Sequence, residues 1–165
     1  MNVANFGPID DGVGLFGACR PGHLGGDLEA WADVLRAGGV TDVVCLLSTG
    51  EASRWGLPEA YDGAFETHHV PIRDRHLPTR ERLEAALEAI DGAVSRDDRA
   101  AIHCNAGLGR TGVVGAAWLV HAEGLGPQAA VRTVETGPAR RTPREAIRDG
   151  NATEADLFDL LARIA

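Results

Sequence analysis

Cys104 and Arg110 close a short loop, Cys-(five residues)-Arg, within the run Ala101-Ile102-His103-Cys104-Asn105-Ala106-Gly107-Leu108-Gly109-Arg110-Thr111-Gly112. A short apolar run precedes this loop and a long apolar, helix-forming run follows it. That pattern predicts a strand, a glycine-bearing turn and the first turn of a buried helix. A helix N-terminus carries about half a positive charge and several N–H groups without intrahelical partners. The N–H groups of a tight loop above it, here Asn105, Ala106, Gly107, Leu108 and Gly109, make an anion cradle. Gly107 and Gly109 leave the backbone free to turn those groups toward phosphate. A cysteine aimed into such a cradle is drawn toward thiolate. Arg110 adds a planar fork that suits two oxygens of one phosphate. A thiolate facing a tetrahedral oxyanion site is the equipment for phosphoryl transfer through a cysteinyl-phosphate. Thr111 is placed either to donate its hydroxyl to the sulfur, favouring it as a leaving group, or to serve simply as a helix N-terminal hydroxyl.

Departure of an alkoxide or phenolate requires a proton, and a positioned general acid contributes about 10²–10⁴-fold. Asp74 is the candidate. It lies in Val70-Pro71-Ile72-Arg73-Asp74-Arg75-His76-Leu77-Pro78, between a predicted strand and a predicted helix, and prolines stiffen the segment on both sides. Asp97 and Asp98 open the strand whose far end bears Cys104, the wrong end of the sheet. Asp91 belongs to a solvated helix face. Asp62 is the loop carboxylate to consider next.

The Cys104–Gly112 run, with His103 before it, resembles the signature loop of the cysteine-dependent protein tyrosine phosphatase superfamily. The Pro71-Ile72-Arg73-Asp74 segment, about thirty residues before the cysteine, is similar to the acid-bearing segment of its dual-specificity branch. Cys45-Leu46-Leu47-Ser48-Thr49-Gly50-Glu51, Trp55-Gly56-Leu57-Pro58 and Thr67–Asp74 resemble the cyclin-dependent-kinase-associated group and its compact bacterial relatives. About residues 10–135 are covered. By this resemblance His103 orients the loop and helps keep Cys104 ionised, with a purely structural histidine as the overlapping alternative. From Gly137 onward the match is loose. Many relatives carry a glutamine near the start of the last helix, where this chain reads Asn151-Ala152-Thr153-Glu154-Ala155, so no catalytic role is assigned there.

The elements that must hold these residues follow from periodicity. Leu15–Ala18 reads as a short strand in an N-terminal hairpin. Asp27 caps a helix over Leu28–Ala37 that Gly38-Gly39 ends. Val40–Leu47 is a nearly continuous apolar and β-branched run, as expected of a strand covered on both faces. Phe65–Val70 is a weaker strand. Pro78-Thr79 opens an amphipathic helix with Leu83, Ala86, Leu87, Ile90 and Val94 on one face. Arg96–Arg99 is a polar turn, Ala100–His103 a strand, and Thr111 to about Glu123 a buried helix. Pro127 begins the next helix, and Thr153 with Asp156 makes a capping box for the last. The expected fold is α/β, a central mostly parallel sheet with helices on both faces and the site at the carboxyl end of a strand.

Composition bounds the function. The chain has 165 residues, 44% hydrophobic and 24% charged, which predicts a single domain over 1–165 with a substantial core. A net charge of −8 argues against nucleic acid and anionic membranes as partners, and makes any anion site a local device. Three cysteines without scaffold spacing suggest a reducing compartment, and no apolar run is long enough to span a bilayer, so a cytoplasmic monomer is expected. His23, His68, His69, His76 and His121 lack paired ligand spacing. No metal or other cofactor is expected, since cradle and arginine carry the charge stabilisation. Cys45 reads as core packing or as a resolving partner for oxidised Cys104. Arg140-Arg141 reads as a solvated face within reach of phosphate only as the lesser alternative. The expected substrates are phosphotyrosine or phosphoserine/threonine in proteins. Inositol or sugar phosphates, a non-catalytic phosphate-binding module and a rhodanese-like sulfurtransferase are the alternatives. Uncharged Asn105 and Leu108 and the overall acidity disfavour highly anionic substrates.

Overall fold

In the computed structural model, which describes residues 3–164, one five-stranded sheet runs through the molecule. Its strands are β1 (Gly7–Pro8), β2 (Leu15–Ala18), β3 (Val40–Cys45), β4 (Glu66–His69) and β5 (Arg99–His103), in the order β1-β2-β5-β3-β4. Only the β1–β2 hairpin is antiparallel; β2–β5, β5–β3 and β3–β4 are parallel. The sheet is therefore mixed but mostly parallel, as the alternation of apolar runs and amphipathic helices implied. Among the described residues seven α-helices accompany it: α1 (Leu28–Ala37), α2 (Thr49–Trp55), α3 (Arg80–Val94), α4 (Gly109–Glu123), α5 (Pro127–Thr136), α6 (Glu145–Arg148) and α7 (Glu154–Ala162).

Alternation along each strand splits the core in two. Leu15, Val44, Ala100 and Ile102 face a cluster built with α3, α4, α5 and α7, including Leu83, Leu87, Ile90 and Trp118. Phe16, Val43, Cys45 and Ala101 face the other side, with Trp31 and Leu35 of α1 and Tyr61. The helix α4 is buried along most of its length, so it docks against the sheet like a core element. Its first residue lies at the carboxyl end of β5, which fixes where a loop between the two must open.

Local signals account for the helix ends. Asp27 accepts from Glu29 N–H, Thr79 from Arg82 N–H, and Thr153 with Asp156 forms the expected capping box. Pro127 is the first residue of α5. Several elements depart from expectation. The strand over Val40–Leu47 ends at Cys45, and α2 begins at Thr49, capped by a Ser48–Glu51 box. Gly50 and Ser53 weaken the helical pattern there, but two satisfied N-terminal donors offset them. Likewise α4 begins at Gly109, two residues before the expected start, because the loop winds directly into the helix.

Candidate active site

Strand alternation places His103 and Cys104 on opposite faces of the sheet. Cys104 packs with the α4 side, His103 with Tyr61 and Trp31 on the other. Beyond β5 the loop turns its carbonyls outward one after another, and each meets a donor from a different element. His103 Nδ1 lies 3.0 Å from Cys104 O, and Arg20 N–H donates to Asn105 O at 2.9 Å. Asn5 Nδ2 donates to Ala106 O at 2.7 Å, Arg141 Nη1 to Gly107 O at 2.6 Å, and Thr142 N–H to Leu108 O at 3.1 Å. Among the described residues no N–H from Asn105 to Thr111 finds a protein acceptor. Outward carbonyls leave inward amides, so the cradle is held open by its surroundings. Gly107 is obligatory in this design. Its φ is +80°, and a Cβ would sit 2.4 Å from Ala18 O, a backbone atom of β2.

Arg110, at the start of α4, is 4% exposed and fully committed. Nη1 donates to Glu51 Oε1 at 2.6 Å and to Ile72 O at 3.0 Å; Nη2 donates to Glu51 Oε2 at 3.1 Å. Asp74 Oδ1 approaches the same Nη2 at 3.1 Å. Burial opposes the charge on Glu51, but the Arg110 hydrogen bonds and the Ser48 N–H outweigh it and pull the carboxyl down to about 2. Thr111 Oγ1 lies 3.2 Å from Cys104 Sγ and donates to it. Asp74, Arg75, Cys104, Asn105, Ala106, Gly109, Arg110 and Glu145 thus line one cleft of about 170 Å³. The cleft brings together the nucleophile, fork and acid that the sequence nominates.

Partners settle the state of His103. Cys104 O can only accept, so Nδ1 carries the proton, and Nε2 accepts from Tyr61 O–H at 2.8 Å. Complete burial drives this imidazole down to about 4, which keeps it neutral at physiological pH. His103 therefore tethers the loop as a neutral donor.

Several residues outside the sequence reading belong to the site. Glu51 grips Arg110, and its capping-box position was the available signal. Arg20 stacks on Trp55, 3.7 Å from the ring centroid, and its Nε donates to Asn105 Oδ1 at 2.9 Å. Asn5 and Glu145 carried no sequence signal at all. Arg141 is a correction: it is 3% exposed and bound to carbonyls, neither a solvated face nor a phosphate ligand. Cys45 belongs to the cluster on the face of the sheet opposite Cys104, and burial pushes its thiol up to about 11. It is core packing. Asn151 Nδ2 donates to Arg75 O at 2.9 Å, and Arg75 Nε lies 3.4 Å from Asp149, so the C-terminal segment braces the loop that carries Asp74. Three other histidines serve local contacts: His68 meets Asp42, His69 the Leu47 carbonyl, and His121 Asp91.

A mostly parallel sheet whose central strand feeds a Cys-(five residues)-Arg loop into a buried helix defines a dual-specificity member of the cysteine-dependent protein tyrosine phosphatase superfamily. Within it, the chain belongs to the family described as polymorphic toxin system, DSP-PTPase phosphatase, which matches residues 16–124. Cyclin-dependent kinase inhibitor 3 of Rattus norvegicus is 26% identical over 118 residues, 68% of this chain and 56% of the relative. The porcine protein of that name matches to the same extent, so the chain spans little more than half the length of these relatives. The crystal structure of Tk-PTP in the active form superposes with a TM-score of 0.70 at 26% identity, over 94% of this chain and 97% of that one. Kinase-associated phosphatase shares the fold, with a TM-score of 0.71 at 20% identity over 93% and 97% of the two chains.

Proposed function

We propose that this chain hydrolyses phosphate monoesters of tyrosine, serine and threonine in proteins through a cysteinyl-phosphate. The observation that carries the reading is the convergence of Cys104, Arg110 and Asp74 on one cleft beneath unpartnered loop amides. In the first step Cys104 sulfur attacks phosphorus in line as a thiolate, the S–P bond forms and the ester P–O bond breaks. Loop amides and Arg110 hold the three equatorial oxygens. The phosphate takes the place that Asp74 occupies on Nη2, which frees that carboxyl to protonate the leaving oxygen. In the second step water gives its proton to Asp74 and its oxygen attacks phosphorus. The S–P bond breaks, its electron pair returns to sulfur, and the Thr111 hydroxyl stabilises the departing thiolate. No step draws on a metal or organic cofactor.

The cleft wall supports a dual-specificity substrate range. Among the described residues no aromatic side chain lines it, so nothing described there favours a phenyl ring over an alkyl ester. Asp74 and Glu145 are among the residues that line it, and their carboxylates disfavour inositol or sugar phosphates bearing several anionic groups. Residues 1–165 act, in this reading, as one cytoplasmic phosphatase domain, monomeric and without nucleic-acid or membrane partners. No described helix is long and apolar enough to cross a membrane. Turnover of a panel of phosphotyrosine, phosphoserine and phosphothreonine peptides, with inositol and sugar phosphates alongside, tests the substrate class. Asp74→Asn should slow alkyl phosphates by about 10²-fold or more and an aryl phosphate of an acidic phenol by less. Equal losses on both would remove Asp74 from the acid's role, and preference for sugar phosphates would overturn the protein-substrate reading.

A further inference from the structure

Arg141 is a cation sealed into the fold behind the phosphate cradle. Its guanidinium donates from Nη1 to Asn5 O at 3.2 Å and to Gly107 O at 2.6 Å, and from Nη2 to Gly7 O at 3.2 Å. All three acceptors are neutral carbonyls. Among the described residues no carboxylate balances it; a thiolate at Cys104 would favour its charge. Burial draws its guanidinium down to about 10, so the charge persists at neutral pH.

The fold makes room for this side chain deliberately. Gly17, in β2, lacks the Cβ that would stand 2.6 Å from Arg141 Cζ and 2.7–2.8 Å from both terminal nitrogens. A slot in a central strand is thus filled by a guanidinium rather than by a methyl group. Three carbonyls could be capped by neutral donors, whereas a buried, unpaired charge is costly unless something else compensates it. The group it touches, Gly107 O, belongs to the loop whose inward amides face the anion site.

We propose that Arg141 is a second cation of the phosphate site, a positioning residue that acts through the loop: it pulls the Gly107 carbonyl outward, and its buried charge is balanced by the bound dianion. The inference rests on the phosphatase reading above. Charge acting at a distance has a signature that packing lacks. Its effect scales with the charge of the ligand, so the fold-loss for a dianion is the square of that for a monoanion.

The test compares inhibition of aryl-phosphate hydrolysis by nitrate and by tungstate, at constant ionic strength, in the full chain and its variants. Arg141→Met should weaken nitrate about threefold and tungstate about tenfold. Arg141→Lys, which keeps the charge, should hold the nitrate-to-tungstate ratio near that of the unmodified protein. Gly17→Ala, which evicts the guanidinium without touching Arg141, should move both anions in the same direction as Arg141→Met. Equal losses for the two anions in Arg141→Met or Gly17→Ala would reduce Arg141 to a structural brace and overturn the proposal. If Arg141→Met does not fold, the Lys and Gly17 variants decide alone. An unmodified protein that neither hydrolyses aryl phosphate nor binds tungstate would instead refute the phosphatase reading.

Discussion

Lowering the pH should unfold this protein partly through one residue, His103. Its neutral imidazole is completely buried, donates to Cys104 O and accepts from Tyr61 O–H. Burial lowers it from the ordinary 6.5 to about 4. Between those values the unfolded chain binds a proton that the folded chain refuses, so stability falls as pH falls. The contribution is whole above about pH 6.5 and gone below about pH 4. At about 1.4 kcal/mol per pH unit the full loss across that span is about 3.4 kcal/mol, of which about 2 kcal/mol has gone by pH 5. Other groups titrate in this range, so the comparison must be with His103→Asn, which retains a donor toward Cys104 O but cannot charge. That variant should be less stable at pH 7.5 by about 1 kcal/mol for the lost Tyr61 bond. Urea unfolding of both proteins at pH 7.5, 6.5, 5.5 and 5 should show this advantage of about 1 kcal/mol shrink as pH falls and reverse, the unmodified protein ending about 1 kcal/mol less stable than the variant at pH 5, a relative change of about 2 kcal/mol. Parallel curves would refute the reasoning, since they would mean His103 protonates equally well in both states.

Two further outcomes follow from contacts at the site. Arg110→Lys keeps one charge but loses the two-point grip by Glu51 and the fork for phosphate, so kcat/KM should fall by about 10²-fold or more; a near-normal rate would make Arg110 a structural residue. Because Cys45 and Cys104 lie on opposite faces of the sheet, peroxide-inactivated protein should contain no disulfide between them by peptide mass spectrometry, and Cys45→Ala should leave peroxide sensitivity unchanged; detection of that crosslink would overturn the assignment of Cys45 to the core.

Much of this architecture is legible locally. Val40–Leu47 and Ala100–His103 announce central strands because both their faces are apolar, and α3 announces its buried face through Leu83, Leu87 and Ile90. The loop is legible because its chemistry needs a fixed order: thiol, amides, glycines, arginine, hydroxyl. What escapes a linear reading is set by meetings across the fold. Glu51 sits in a short helix whose capping signal is plain, yet nothing near it says that its carboxylate reaches Arg110. Arg141 reads as solvated because it follows Arg140 in a glycine- and proline-rich stretch. Its burial depends on a missing Cβ at Gly17, far away in sequence. Glu145 and Asn151 likewise reach the cleft and the acid loop only because α6 folds back over the start of α4.

Covalent catalysis by Cys104 leaves a chemical trace that rapid acid quench during aryl-phosphate turnover, followed by peptide mass spectrometry, would capture. The peptide containing Cys104 should carry the mass of one phosphoryl group in the unmodified protein and none in Cys104→Ser, which should retain the fold and bind phosphate but turn over less than about one part in a hundred. Steady turnover with no phosphoryl group on Cys104, or a Cys104→Ser variant that remains active above that level, would contradict it.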